Sequence, residues 1–222
     1  MLNQTHPVVR GTVYGTLLNE KKALAALGEQ VHVAPYKAPP QAPVLYIKPR
    51  NTWVSEGANV TVPLDASALE IGATLGVVIG RTASHVSVAD ALSHVAGYLV
   101  VNDISVPHAS YYRPSMRFKC RDGFCPIGSV VVPREAIANP DDLKVSVAID
   151  GVVVHTASTS GRVRSVAQLL ADVTEFMTLH PGDVISIGVA AGAPLAKAGQ
   201  CVTVAIEGVG TLENTLVAEE LV

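Results

Sequence analysis

A β-rich α+β fold, with an antiparallel or mixed sheet and helices at its periphery, is what this sequence predicts, and three observations carry that prediction. Short stretches rich in Val and Ile recur along the chain, each closed off by Gly, Pro, Asn or Asp, the pattern of strands between turns. Asp150-Gly151 joins VSVAI to VVVHT and supplies a two-residue hairpin loop, because both residues tolerate positive φ. Helical patterning is confined to three unevenly placed segments, too few for repeating βαβ units.

Taken in order, GTVYGTLL at 11–18 reads as a strand and EKKALAALGE at 20–29 as a helix. APYKAPPQAP at 34–43 is a loop or lid, since strand-like sequence resumes on either side of it. VLYIKP, NVTVP and LGVVIG follow as strands, and VADALSHV at 88–95 predicts a second helix with Ser87 as its cap. GYLVVND is the next strand and the hairpin around 150–151 comes after it. In SVAQLLADVTEFMT at 165–178, Val166, Leu169, Leu170, Val173 and Met177 form an apolar stripe at helical spacing. DVISIG and CVTVAIEGVGTL close the chain as strands entered by tight turns. One domain over 1–222 is expected, with a strand, helix and Pro-rich lid at 1–43 and the core at 44–218.

The composition narrows the functional classes. With 49% hydrophobic and 16% charged residues in 222, the chain can bury a substantial core. A net charge of -3 and a pI near 6.1 argue against a general nucleic-acid binder, which needs a basic face; a small anionic ligand fits better. No apolar run approaches the roughly 20 residues of a membrane helix. Three cysteines and an opening, MLNQTHPVVRG, without a basic-then-apolar leader pattern fit a reducing cytoplasm.

Against this thin charge, Arg113, Arg117, Lys119 and Arg121 crowd into nine positions. They repel one another unless solvent, carboxylates or a ligand offset the cost. A solvated charged face is one reading. The other takes Lys119 and Arg121 as sharing one face of an extended segment, where two convergent cations suit a dicarboxylate. Cys120 and Cys125 lack the two-residue spacing of most zinc knuckles and have no nearby His or Cys pair to complete a site, so buried reduced thiols are expected. Cations beside a thiol favour a nucleophilic cysteine, but no oriented His partner is apparent. Asn102-Asp103 brings a carboxylate out where an apolar strand meets a loop, a position that also suits a plain turn or cap.

GYLVVNDIS, FKCRDGFCPIG, LHPGDVISIG and VTVAIEGVGTLENTLV, in that order, resemble the fumarylacetoacetate hydrolase superfamily over nearly the whole chain. Within it, YKAPP, YIKPRNT, YYRP and KCRDGFCPIG are most similar to the amino-terminal half of isomerase/decarboxylases built from two homologous halves. The resemblance implies a fumarylacetoacetate hydrolase-like mixed β-roll, an acidic 2-oxo or enol substrate, and a divalent ion held by a Glu-x-Glu pair and the Asp of a later Asn-Asp. Such oxygen ligation suits Mg²⁺. Asp103 is the third of these positions, whereas the Glu-x-Glu positions fall on Gly72 and Thr74. Glu70 would share their face in a continuous strand but stands about 6–7 Å away. No metal and no cofactor are therefore expected in this chain alone, with Mg²⁺ in a partner subunit. Val189 stands where catalytic relatives carry Thr, and no His follows GTLLN, which disfavours carbon–carbon bond hydrolysis.

Lys48, Lys119 and Arg121 are the substrate-binding candidates, with Arg50 standing beside them in YIKPRNT; the acid–base residue is not legible. Two functional readings stay open. In the first, the chain is a subunit of an isomerase/decarboxylase of aromatic (4-hydroxyphenylacetate) catabolism, acting on 5-oxopent-3-ene-1,2,5-tricarboxylate and 2-hydroxyhepta-2,4-diene-1,7-dioate. In the second it is a non-catalytic partner of a metal-bearing paralogue. Either way the expected partners are a small di- or tricarboxylate 2-oxo acid and a second subunit, in a homodimer or a heteromer with the paralogue.

Overall fold

The computed structural model describes residues 8–108 and 115–220. Along these the chain runs β1 (Val13–Leu17), α1 (Lys21–Ala25), β2 (Val44–Lys48), β3 (Trp53–Ser55), β4 (Asn59–Val62), β5 (Leu69–Glu70), β6 (Ala73–Ile79), β7 (Val95–Asn102), α2 (Met116–Lys119), β8 (Cys125–Ile127), β9 (Val132–Pro133), β10 (Lys144–Ile149), β11 (Val152–Ser158), α3 (Val166–Thr174), β12 (Val184–Ser186), β13 (Leu195–Ala196), β14 (Cys201–Ile206) and β15 (Gly210–Ala218). One mixed sheet has the order β2-β1-β12-β6-β7-β8-β3, with β9 also on β7. A second has the order β11-β10-β14-β15-β4, and β13 pairs with β5. The contacts β1–β12, β3–β8 and β15–β4 are parallel. This is the mixed β-roll with peripheral helices that the sequence predicts.

Burial explains why β6 and β7 read as unbroken apolar runs. Leu75, Val77, Tyr98 and Val100 enter a core shared with Val147, Val204 and Leu212 of the second sheet and with Leu169, Leu170 and Val173 of α3. On the opposite face Val78, Leu99 and Val101 pack with Val13, Ile127 and Val184. Strands covered on both sides lose the alternation that marks a half-exposed strand. Each buried Leu or Val here stabilises by about 1.5–3 kcal/mol relative to exposure.

The helices depart from expectation in instructive ways. At α3 Val166, Leu169, Leu170 and Val173 are buried as the spacing requires and the Ser165 hydroxyl accepts from Gln168 N at 3.2 Å as the cap, but the helix ends at Thr174, leaving Met177 beyond it and half-buried. At 20–29 only Lys21–Ala25 is α-helical, followed by a 3-10 turn at Gly28–His32; none of the α1 residues is buried, and a short helix without tertiary packing is marginal. The expected helix at 88–95 is a single 3-10 turn, Ala91–His94. His94 O accepts from Gly80 N and Arg81 N at 2.8 and 3.2 Å, which pins the segment to the end of β6 and leaves space for one turn. Asp150 and Gly151 have φ of 51° and 79°, and the hairpin forms between β10 and β11. Residues 34–43 contain neither helix nor strand.

Candidate functional site

Asp103 follows the last residue of β7, and its amide donates to Gly72 O at 2.8 Å. Strand β2 runs past it on the other side. Because side chains two apart on a strand share a face, Tyr46 and Lys48 both reach the Asp103 carboxylate. The Tyr46 hydroxyl donates to Oδ2 in a short hydrogen bond, and Lys48 Nζ lies 2.7 Å from Oδ1, both side chains of this pair being only 2% exposed. Lys119, the last residue of α2, brings a second ammonium to 3.4 Å from Oδ2, with its Nζ 5.1 Å from the Tyr46 ring centre. Burial alone pushes the Asp103 carboxyl up, but Lys119 and Lys48, with hydrogen bonds from Lys48 and Tyr46, hold it at about 2. Burial, and then the Asp103 charge, push the Tyr46 phenol well above its ordinary range.

The two lysines play different parts. Lys48 Nζ also donates to the carbonyls of Ile104, Lys119 and Phe124 at 3.0, 2.7 and 2.8 Å. An ammonium has three protons, so Lys48 is saturated and braces β2, α2 and the segments around 104 and 124. Lys119 instead lines a cavity of about 170 Å³. Leu17, Leu18, Ala23, Val189, Ala190 and Ala193 line it, and among the described residues Glu70 and His108 join Lys119 as its ionisable groups. Burial pushes the Glu70 carboxyl above its ordinary value, against the pull of Lys119 and His108. His108 stacks on Phe118 with ring centres 5.2 Å apart.

The expected shared face of Lys119 and Arg121 does not form, because 116–119 is helical rather than extended. Arg121 turns outward, its two terminal nitrogens 2.7 and 2.8 Å from the carboxylate of Asp65 and its Nε donating to Arg117 O. Arg117 meets the same Asp65 at 3.5 Å. Arg50 is exposed, and Arg113 lies outside the described residues. Thus the basic segment splits into one inward lysine and an outward arginine pair that shares the single carboxylate of Asp65. Cys125 is fully buried and burial raises its thiol to about 12; Cys120 is raised by burial too, so desolvation outweighs the neighbouring cations and neither thiol is activated. Val189 does face the cavity, so no hydroxyl at 189 is offered to a ligand.

The donor set does not fit the divalent ion that the family implies. Asp103 is already neutralised by two ammonium groups. A Cβ added at Gly72 would collide with the Asp103 carbonyl oxygen and crowd Val189, so no carboxylate reaches out from that position on this backbone. Thr74 Oγ1 is spent on Ser186 Oγ and Gly188 O, both at 3.0 Å. Among the described residues no three His, Cys, Asp or Glu side chains converge as a cation site. Lysine ammonium groups occupy the electrostatic role beside Asp103.

Comparison with known proteins agrees with this architecture. The family model described as fumarylacetoacetate (FAA) hydrolase C-terminal matches residues 12–217. The 4-hydroxyphenylacetate degradation bifunctional isomerase/decarboxylase of Escherichia coli is 40% identical over 211 residues, covering 95% of this chain and 48% of the relative. The chain thus spans about half the length of the curated relatives it matches most strongly. Among solved structures, 5-carboxymethyl-2-hydroxymuconate delta-isomerase from Mycobacterium smegmatis superposes with a TM-score of 0.81 at 29% identity, over 97% of this chain and 82% of that one. The 2-hydroxyhepta-2,4-diene-1,7-dioate isomerase from Mycobacterium marinum gives 0.77 at 28% identity, over 97% and 78%. Sequence, fold and site lead to one assignment: the chain belongs to the fumarylacetoacetate hydrolase family.

Proposed function

We propose that this chain is the isomerase-type subunit of an isomerase/decarboxylase of aromatic catabolism, and that it moves a proton within a 2-hydroxy-dienoic dicarboxylate such as 2-hydroxyhepta-2,4-diene-1,7-dioate. The observation that carries the reading is Lys119: a buried ammonium, fixed against Asp103, on the wall of a partly open cavity of mixed polar and apolar lining. A cation so placed holds a substrate carboxylate or the oxygen of an enolate. Isomerisation asks only that a proton leave oxygen and another arrive on carbon, which is acid–base work on an oriented substrate. Lys48 acts by holding Asp103 and the cavity wall, and Arg121 by anchoring the segment behind Lys119 through Asp65. Substrate names borne by the relatives support this class of substrate.

Metal-assisted decarboxylation of 5-oxopent-3-ene-1,2,5-tricarboxylate belongs, in this proposal, to a paralogous subunit with an intact Glu-x-Glu and Mg²⁺. The closure at Gly72 favours that division of labour, and it is also what favours the second reading, a chain that serves only as structural partner. An initial-rate assay on the purified chain separates the two. Loss of the dienedioate chromophore with wild-type protein, slowed in Lys119→Met, supports the isomerase; no turnover by the folded chain, with or without its paralogue, contradicts it.

A further inference from the structure

We infer that Glu70 is the catalytic acid–base residue of this cavity, passing a proton between carbon and the enol oxygen while Lys119 faces that oxygen. This rests on the isomerase reading above and deepens it. Position is the first argument. Glu70 exchanges backbone hydrogen bonds with Ser105 at 2.8 and 3.2 Å on one side and pairs with Leu195 of β13 on the other, so its side chain leaves a backbone clamped along both edges. It emerges into the same cavity as Lys119 and His108. The second argument is availability: among the described residues nothing hydrogen-bonds the Glu70 carboxyl, whereas the Asp103 carboxylate is engaged in ion pairs with Lys48 and Lys119 and a hydrogen bond from Tyr46.

Among the described residues the titratable groups acting on Glu70 are Lys119 at the end of α2, His108 in the segment after Ser105, and Asp103 just after β7. Burial raises the Glu70 carboxyl above its ordinary value against the pull of Lys119 and His108, while the two lysines hold Asp103 low. Two carboxyl groups driven apart in this way mark an acid–base assignment. In a 2-hydroxy-2,4-dienoate the O–H bond at C2 breaks and its electron pair becomes the C=O π bond. The C2=C3 pair moves to C3=C4, and the C4=C5 pair forms the new C5–H bond. Glu70 gives its proton to C5 and takes the enol proton, ending as it began, so atoms and electrons balance without any co-reactant.

The test compares wild type with Glu70→Gln, Glu70→Asp and Glu70→Ala on 2-hydroxyhepta-2,4-diene-1,7-dioate in D₂O, following rate and deuterium at C5. Expected is a fall in kcat of about 100-fold or more in Glu70→Gln, with KM within about threefold and partial rescue of Glu70→Ala by formate. Should Gln fail to fold, Glu70→Asp keeps the carboxyl but withdraws it by one methylene, and a tenfold or larger fall in kcat is expected, on the order of what misplacing a catalytic group costs. A folded Glu70→Gln, or Glu70→Asp in its stead, with wild-type kcat overturns the inference and leaves the isomerase reading standing. Wild-type protein that leaves the substrate unchanged removes the isomerase reading, and the role of Glu70 with it.

Discussion

At Asp103 one carboxylate meets two buried ammonium groups and a phenol, and the residues around it are not equivalent. Lys48→Met would leave Asp103 Oδ1 and three carbonyl groups without their ammonium, so a loss of about 3–5 kcal/mol in folding stability is expected, measurable by urea denaturation. Lys119→Met leaves Lys48 in place. Its signature is weaker binding of a dicarboxylate analogue by about 1.5–3 kcal/mol in calorimetry, while Arg121→Met, which loses its pair with Asp65 and its bond to Arg117 O, both outside the cavity, binds as wild type. Acid sensitivity follows from the same cluster. Asp103 is held at about 2 when folded against an ordinary 3.8; its contribution to stability is therefore present above pH 4 and lost as pH falls through about 2. Melting scans between pH 5 and 2 should show that loss in wild type and a flatter profile in Asp103→Asn. Tyr46 is legible from the sequence in hindsight, since it stands two residues before Lys48 on one strand. Lys119 and Arg121 share a face only in an extended segment, and the helical turn at 116–119 removes that premise.

Among the elements, those with several residues of periodic or continuous apolar sequence are readable: β1, β2, β6, β7, the β10–β11 hairpin, α3 and the β14–β15 pair. Of the strands of two or three residues, β12 is read from DVISIG, but β3, β5, β8, β9 and β13 carry too little pattern to be seen. The break between β5 and β6 matters most for function. Glu70 shares a face with positions 72 and 74 only if 70–79 is one strand; with β5 ending at Glu70 and β6 beginning at Ala73, Glu70 is redirected into the cavity. Gly72 lies in that break against the Asp103 carbonyl. Installing the family's carboxylates by Gly72→Glu with Thr74→Glu is accordingly expected to cost about 1–3 kcal/mol through overpacking and to confer no tight Mg²⁺ binding, which calorimetry and thermal melting would check together. Stoichiometric Mg²⁺ binding by a stable double variant would show that the backbone readily makes room.

For the whole molecule, the roll leaves β11 at the rim of the second sheet, paired with β10 only, with Val152, Val153 and Val154 exposed by 65%, 59% and 49%. A bare apolar edge invites another chain. Relatives about twice this length fit an assembly in which a homologous half covers such surface. The purified chain is expected to be a dimer by light scattering, and to form a heteromer when co-expressed with a paralogue carrying Glu-x-Glu; Val153→Lys should weaken the self-association if β11 is the covered edge. The central claim is that lysine ammonium groups, not a metal ion, supply the positive charge of this chain's cavity. Isomerisation of the dienedioate by the isolated chain, measured with EDTA and then with added Mg²⁺, tests it most directly. The account predicts the same rate under both conditions; a rate abolished by EDTA and restored by Mg²⁺ would contradict it.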